Sequence, residues 1–158
     1  MTRVPDLGPR GEGWVVLQFV LFVAIGVAAG FAEPWPADVA PTLRALGTLA
    51  LAAGFLFLAM AFRTLGVSTT AFPKPVEHGE LRTDGIYGLA RHPIYGGVIL
   101  LALGWSLLRG PIALVPTAAL VALFVLKSMR EEAFLLERYP GYAAYRERVR
   151  KRFIPGIV

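Results

Sequence analysis

Apolar residues in this chain gather in blocks instead of recurring at amphipathic spacing, and nearly all charges fall in the gaps between blocks. That arrangement predicts helices surrounded by lipid. Residues 14–31 carry no charge, and as a helix they reach about 27 Å, enough for a thin bilayer. A cleaved signal peptide is the competing reading, because Gly30-Phe31-Ala32 resembles a small-residue cleavage site. The block is long for such a leader. Residues 33–41 hold three prolines and two acids but no Lys or Arg, and form a turn. Residues 43–62 are the second span. Its one charge, Arg44, lies near an end and can snorkel, and Gly47 and Gly54 permit close helix contact.

Residues 63–92 form the longest polar stretch, with Ser68-Thr69-Thr70, Pro73-Lys74-Pro75 and Glu77-His78-Gly79-Glu80. Irregular backbone with one short helix at most is expected, and a loop this long in a small chain is usually functional. Residues 93–108 and 111–126 make a pair of shorter spans joined at Arg109-Gly110-Pro111. A re-entrant hairpin is the alternative to two crossings. The second of the pair runs on toward Tyr139 without a breaker, with Pro116 placed to kink its start. Beyond Tyr139-Pro140-Gly141, Tyr142, Tyr145 and Val149 share one side of a helix and basic residues the other. This is expected to be an amphipathic helix on the membrane interface.

Composition agrees with the pattern: 56% of the 158 residues are hydrophobic, and the mean hydropathy is +0.59. One all-α integral membrane domain of four transmembrane helices follows. The net charge of +5 is assigned to anionic lipid and cytosol, not to nucleic acid. Lys and Arg number two in the N-terminal tail, none in the first turn, four in the long loop, one in the second turn and eight after the fourth span. By the positive-inside rule both termini and the long loop are cytosolic, in the cell membrane. Cysteine is absent, which excludes thiolate catalysis and Cys-based metal sites. The two histidines are fourteen residues apart, without helical ligand spacing for a metal.

The chemistry-bearing stretch is Gly85-Ile86-Tyr87-Gly88-Leu89-Ala90-Arg91-His92-Pro93-Ile94-Tyr95-Gly96-Gly97. Pro93 suits the first position of a helix, whose free N–H groups, with Arg91 and His92, would attract an anion. Glu131 and Glu132 follow the fourth span and share the cytosolic side with Arg91 and His92 in this topology. Either they begin a solvated helix, with Lys127 and Glu131 as an i, i+4 pair, or one of them holds an amine-bearing ligand.

Gly85, Tyr87, Arg91, His92, Pro93, Tyr95 and Gly97, then Glu131, Glu132 and Leu135, then Tyr139, Gly141, Tyr142 and Tyr145, with a closing Ile154-Pro155, make a composite motif. It resembles the isoprenylcysteine carboxyl methyltransferase family and its phospholipid N-methyltransferase relatives, over roughly residues 63–155. Pro140 before Gly141 departs from the family's aromatic-Gly pair and blurs the entry to the last helix. The resemblance implies a small helical membrane enzyme with a cytosolic pocket for S-adenosylmethionine, held by Tyr87, Arg91, His92, Pro93, Tyr95, Glu131 and Glu132. It implies a lipid or lipid-linked acceptor, with carboxyl O-methylation as the family reaction. Arg91 or Arg63 would orient a carboxylate acceptor, and His92 or a Glu would take the proton from an amine acceptor. Phospholipid N-methylation and thiol S-methylation remain open. So do an NADPH-dependent membrane reductase, since some sterol reductases have similar C-terminal helices, and a non-enzymatic membrane subunit.

Overall fold

A computed structural model describes residues 4–66, 70–75 and 79–156, and all regular structure among them is helical. Helix α1 spans Glu12–Gly30, α2 Ala40–Leu65, α3 Pro93–Arg109, α4 Leu114–Arg138 and α5 Tyr142–Arg148. Three stretches are long and apolar enough to cross a membrane: α1, α2, and α4 together with the 3-10 turn Pro111–Ala113 before it. Helix α3 is shorter, with 17 residues. Val16, Phe19, Val20 and Val23 of α1 and Leu49, Phe55 and Leu56 of α2 are exposed, which suits surfaces whose solvent is lipid.

Helix α3 is the centre. It runs antiparallel to α2 along a seam of four glycines, Gly47 facing Gly104 and Gly54 facing Gly97. A Cβ on Gly104 would stand 2.7 Å from the Gly47 carbonyl oxygen, and one on Gly54 2.9 Å from that of Gly97. The backbones therefore touch directly, and dispersion contacts replace the hydrophobic drive that lipid does not supply. On its other side α3 meets α4, which packs on α1. Trp14, Ile25, Ile99, Ala102, Leu120, Leu123, Phe124 and Phe153 form the main core there.

Ser106 and Thr117 lock the α3–α4 turn: their hydroxyls are 2.8 Å apart, one donating to the other, and the acceptor hydroxyl donates to a backbone carbonyl of Ala102 or Ala113. Pro116 lies in the first turn of α4, where its missing N–H is tolerated. The departure from α geometry comes earlier, at Pro111–Ala113. Helix α4 then continues without interruption to Arg138. It carries Glu131 and Glu132 about 8 Å past the apolar block that ends at residue 126.

Among the described residues the segment before α3 is largely irregular, as expected, and includes a 3-10 turn at Gly85–Gly88. Ser68, Thr69, Glu77 and His78 lie outside the described residues. The C-terminal helix differs from its expectation. Tyr142, Tyr145 and Val149 are 1%, 3% and 4% exposed and pack with Leu81, Leu135 and Tyr139. Its apolar face is turned to protein and not to a lipid interface, because α4 and the segment before α3 supply the apolar partners.

The glycine seam gives a direct test. Gly104→Leu should destabilise the protein by about 1–3 kcal/mol or more through overpacking. Gly26→Ala, where a Cβ meets nothing within 4 Å, should be neutral or slightly stabilising. Thermal unfolding in detergent compares the two.

Candidate functional site

Two chain segments shape the approach to α3. Gly85 opens the 3-10 turn with φ 52°, and a Cβ there would come 2.9 Å from Thr64 Oγ1, so the position favours glycine twice over. After the turn, Arg91 and His92 run alongside residues 149–153. The Arg91 N–H donates to Lys151 O at 3.0 Å and the His92 N–H to Arg152 O at 2.7 Å. This strap crosses the start of α3 so closely that a Cβ on Gly96 would overlap the Phe153 carbonyl. Pro93 follows as the first helical residue, where no N–H is needed.

The side chains of Arg91 and His92 converge on Glu132. Arg91 Nε donates to Glu132 Oε1 at 2.9 Å, and His92 Nε2 donates to the same oxygen at 3.1 Å. Arg152 approaches Glu132 Oε2 at 3.8 Å. The anion that meets Arg91 and His92 is thus the protein's own carboxylate. Arg91 Nη1 is committed as well, donating to Val149 O at 2.7 Å and Arg150 O at 2.8 Å. Glu131 takes the outer position. Its Oε2 accepts from the Tyr95 hydroxyl at 2.8 Å and lies 3.5 Å from His92 Nδ1. His92 is buried between two carboxylates. Burial disfavours its charge, but the hydrogen bonds and charges of Glu131 and Glu132 outweigh that and raise its pKa above the ordinary 6.5.

Above this cluster lies a cavity with about 760 Å³ of empty space, counting its open mouth. Tyr87, Arg91, His92, Tyr95 and Glu131 line it. Glu132 and Pro93 are buried and do not. Arg63, in the last turn of α2, is exposed and also lies outside the lining. The structure adds Arg82 from the long loop and Tyr139, Tyr142 and Tyr145 from the C-terminal segment. Tyr142 and Tyr145 were visible in sequence on one side of an amphipathic helix and Tyr139 in the break before it, but nothing local showed that they face a cavity. Burial raises the pKa of Tyr87, Tyr142 and Tyr145, which stay neutral phenols. The Tyr145 hydroxyl donates to Tyr87 O at 2.7 Å and that of Tyr139 to Gly79 O at 2.6 Å. Among the described residues the buried Tyr142 hydroxyl has no hydrogen-bond partner.

Fold and site together describe a helical membrane protein with a charged, tyrosine-walled cavity where its helices emerge. A family model for phospholipid methyltransferases matches residues 42–141, more than half of the chain, and the protein belongs to that family. Protein-S-isoprenylcysteine O-methyltransferase B of Arabidopsis thaliana is 33% identical over 76 residues, covering 46% of this chain and 39% of that protein. Delta(14)-sterol reductase TM7SF2 of Mus musculus is 36% identical over 82 residues, covering 49% of this chain and 20% of the reductase. The matches thus span well under half the length of either relative.

Two predictions follow from the charge cluster. Glu132→Gln leaves the buried Arg91 guanidinium and the His92 imidazole without their shared anion and should cost about 3–5 kcal/mol, measured by thermal or chemical unfolding in detergent. The raised pKa of His92 means that its stabilising contribution is complete below about pH 6.5 and is lost as pH rises through the higher folded-state value. The difference in unfolding midpoint between the wild type and His92→Gln should therefore narrow as pH rises from 6 to 9.

Proposed function

We propose that this protein is an S-adenosylmethionine-dependent methyltransferase acting on a lipid or lipid-linked acceptor, and that the reaction is carboxyl O-methylation. In this reading α3 is a fourth crossing, and both termini and the cavity face the cytosol, as the Lys and Arg distribution favours. The observation that carries the proposal is the pairing of Arg91 and His92 with Glu132, and of His92 with Glu131, about forty residues away in sequence, beside a cavity that Arg91, His92 and Glu131 line.

The residues present fit the methyl donor. Its ammonium suits the Glu131 carboxylate, 26% exposed at the cavity wall. The Tyr142 hydroxyl has an unused hydrogen-bonding capacity in the same wall. Tyr87, Tyr139 and Tyr145 offer ring faces for a purine. The guanidinium groups that the donor's carboxylate would meet are Arg82 and the part of Arg91 beyond its engaged Nε and Nη1, both in the cavity lining. When bound, S-adenosylmethionine supplies an electrophilic methyl group on a sulfonium centre.

The chain's own part is then to hold the acceptor in line and keep water out. Carboxyl methylation requires no proton to be removed from a substrate that arrives ionised. That suits a site whose imidazole lies between two carboxylates that favour its protonated form over service as a base. Amine methylation would need such a base. The likeness to a sterol reductase keeps a nicotinamide cofactor as the alternative reading.

The test is untargeted. The purified protein is incubated with a methyl-labelled donor and a lipid extract, with NADPH binding measured in parallel. Label in a base-labile lipid ester is the expected result. Label in an amine or thioether moves the reaction to N- or S-methylation, and NADPH binding without donor binding overturns the proposal. Glu131→Gln should weaken S-adenosylhomocysteine binding by about tenfold, the loss of one charge-assisted hydrogen bond.

A further inference from the structure

Behind the cavity wall lies a buried cation that the site described above does not use. Lys127 is 1% exposed, whereas a lysine near the end of an apolar helix ordinarily snorkels to water. Its ammonium donates instead to Gln18 Oε1 of α1 at 2.6 Å. It also stands 5.3 Å from the centre of the Tyr95 ring and 6.0 Å from that of Phe124. Tyr95 is stacked on Phe124, with centroids 4.6 Å apart, and on His92 at 5.6 Å. The far end of Tyr95 is the hydroxyl that binds Glu131. A continuous path therefore runs from Gln18 through Lys127 and Tyr95 to Glu131.

The geometry points to Lys127 as a positioning residue for the donor site: fixed by Gln18, its ammonium holds the Tyr95 ring and so aims the hydroxyl that orients Glu131. A cation on a ring face is attracted by the ring quadrupole, and burial strengthens that attraction. It also draws electron density from the phenol, which makes the hydroxyl a better donor to the Glu131 carboxylate. Lys127 touches neither the cavity nor, in this reading, the methyl donor. Its partner Gln18 lies on α1, outside the 42–141 region that matches the family model. Helix α1 is then part of the site's support and more than a membrane anchor.

This inference rests on the methyl-donor reading, and its test separates the two. S-adenosylhomocysteine binding is measured by calorimetry on the full chain in detergent, together with the unfolding midpoint. Wild type should bind. Lys127→Met keeps the volume without the charge and should bind about tenfold more weakly, within the range of a cation–π contact. Its midpoint should not fall, because an apolar isostere replaces a buried charge. Lys127→Arg should restore affinity to within about threefold. Should Lys127→Met fail to fold, Gln18→Leu supplies the comparison, again with weaker binding expected. Wild-type affinity in Lys127→Met, or equal losses in the Met and Arg variants, overturns the role. A wild type that binds no S-adenosylhomocysteine overturns the donor reading first, and this inference with it.

Discussion

A single carboxylate oxygen on Glu132 accepts from both Arg91 and His92, and the site's architecture depends on that shared acceptor. A guanidinium and an imidazole favoured in its protonated form cannot be buried at the base of an apolar bundle without a counter-charge. Glu132 supplies it from α4, and in doing so ties the approach to α3 to a helix forty residues further along the chain. Glu131 is then left free to take the outer position, where it completes the His92 pair and reaches the cavity wall. Two adjacent acids of the same chemistry thereby play different parts, set by which side of the helix end each one faces.

The apolar frame makes this arrangement possible. With lipid as the surrounding solvent, burial of hydrophobic side chains does not itself join the helices, so shape must do so. The α2–α3 seam answers with glycines at matching heights on both helices. Close backbone contact along that seam gives α3 a fixed position, and α3 presents Tyr95 toward Glu131 and Phe124. The long run of α4 beyond its apolar block then brings the acids to the level of Arg91 and His92. Precision at the polar end is inherited from contact between small residues deeper in the bundle.

Much of this was legible in the sequence. Uncharged blocks and the prolines between them marked the helices to within a few residues, because length and hydropathy decide membrane-crossing segments. Arg91, His92, Tyr95 and the Glu131-Glu132 pair stood out because such residues are rare beside apolar runs. Pairing was less legible. Nothing in the local pattern showed that Glu132 would be consumed as a structural anion while Glu131 stays at the wall. Tyr142, Tyr145 and Val149 had the spacing of a lipid-facing stripe, and their burial against Leu81 and Leu135 depends on a tertiary partner that periodicity does not encode. Arg63 stood out as a cation at the end of an apolar helix, yet its rotation about that helix places it outside the cavity lining.

The strap across α3 is recognised through its main chain. The carbonyls of Val149, Arg150, Lys151 and Arg152 receive Arg91 and His92, and any amino acid offers a carbonyl. Residues 150 and 151 can therefore drift in identity without disturbing the charge cluster. What cannot drift is the count: one residue inserted or deleted between Tyr145 and Phe153 would shift every acceptor out of step. The register of that segment, more than its spelling, is what the site holds in common with the rest of the fold.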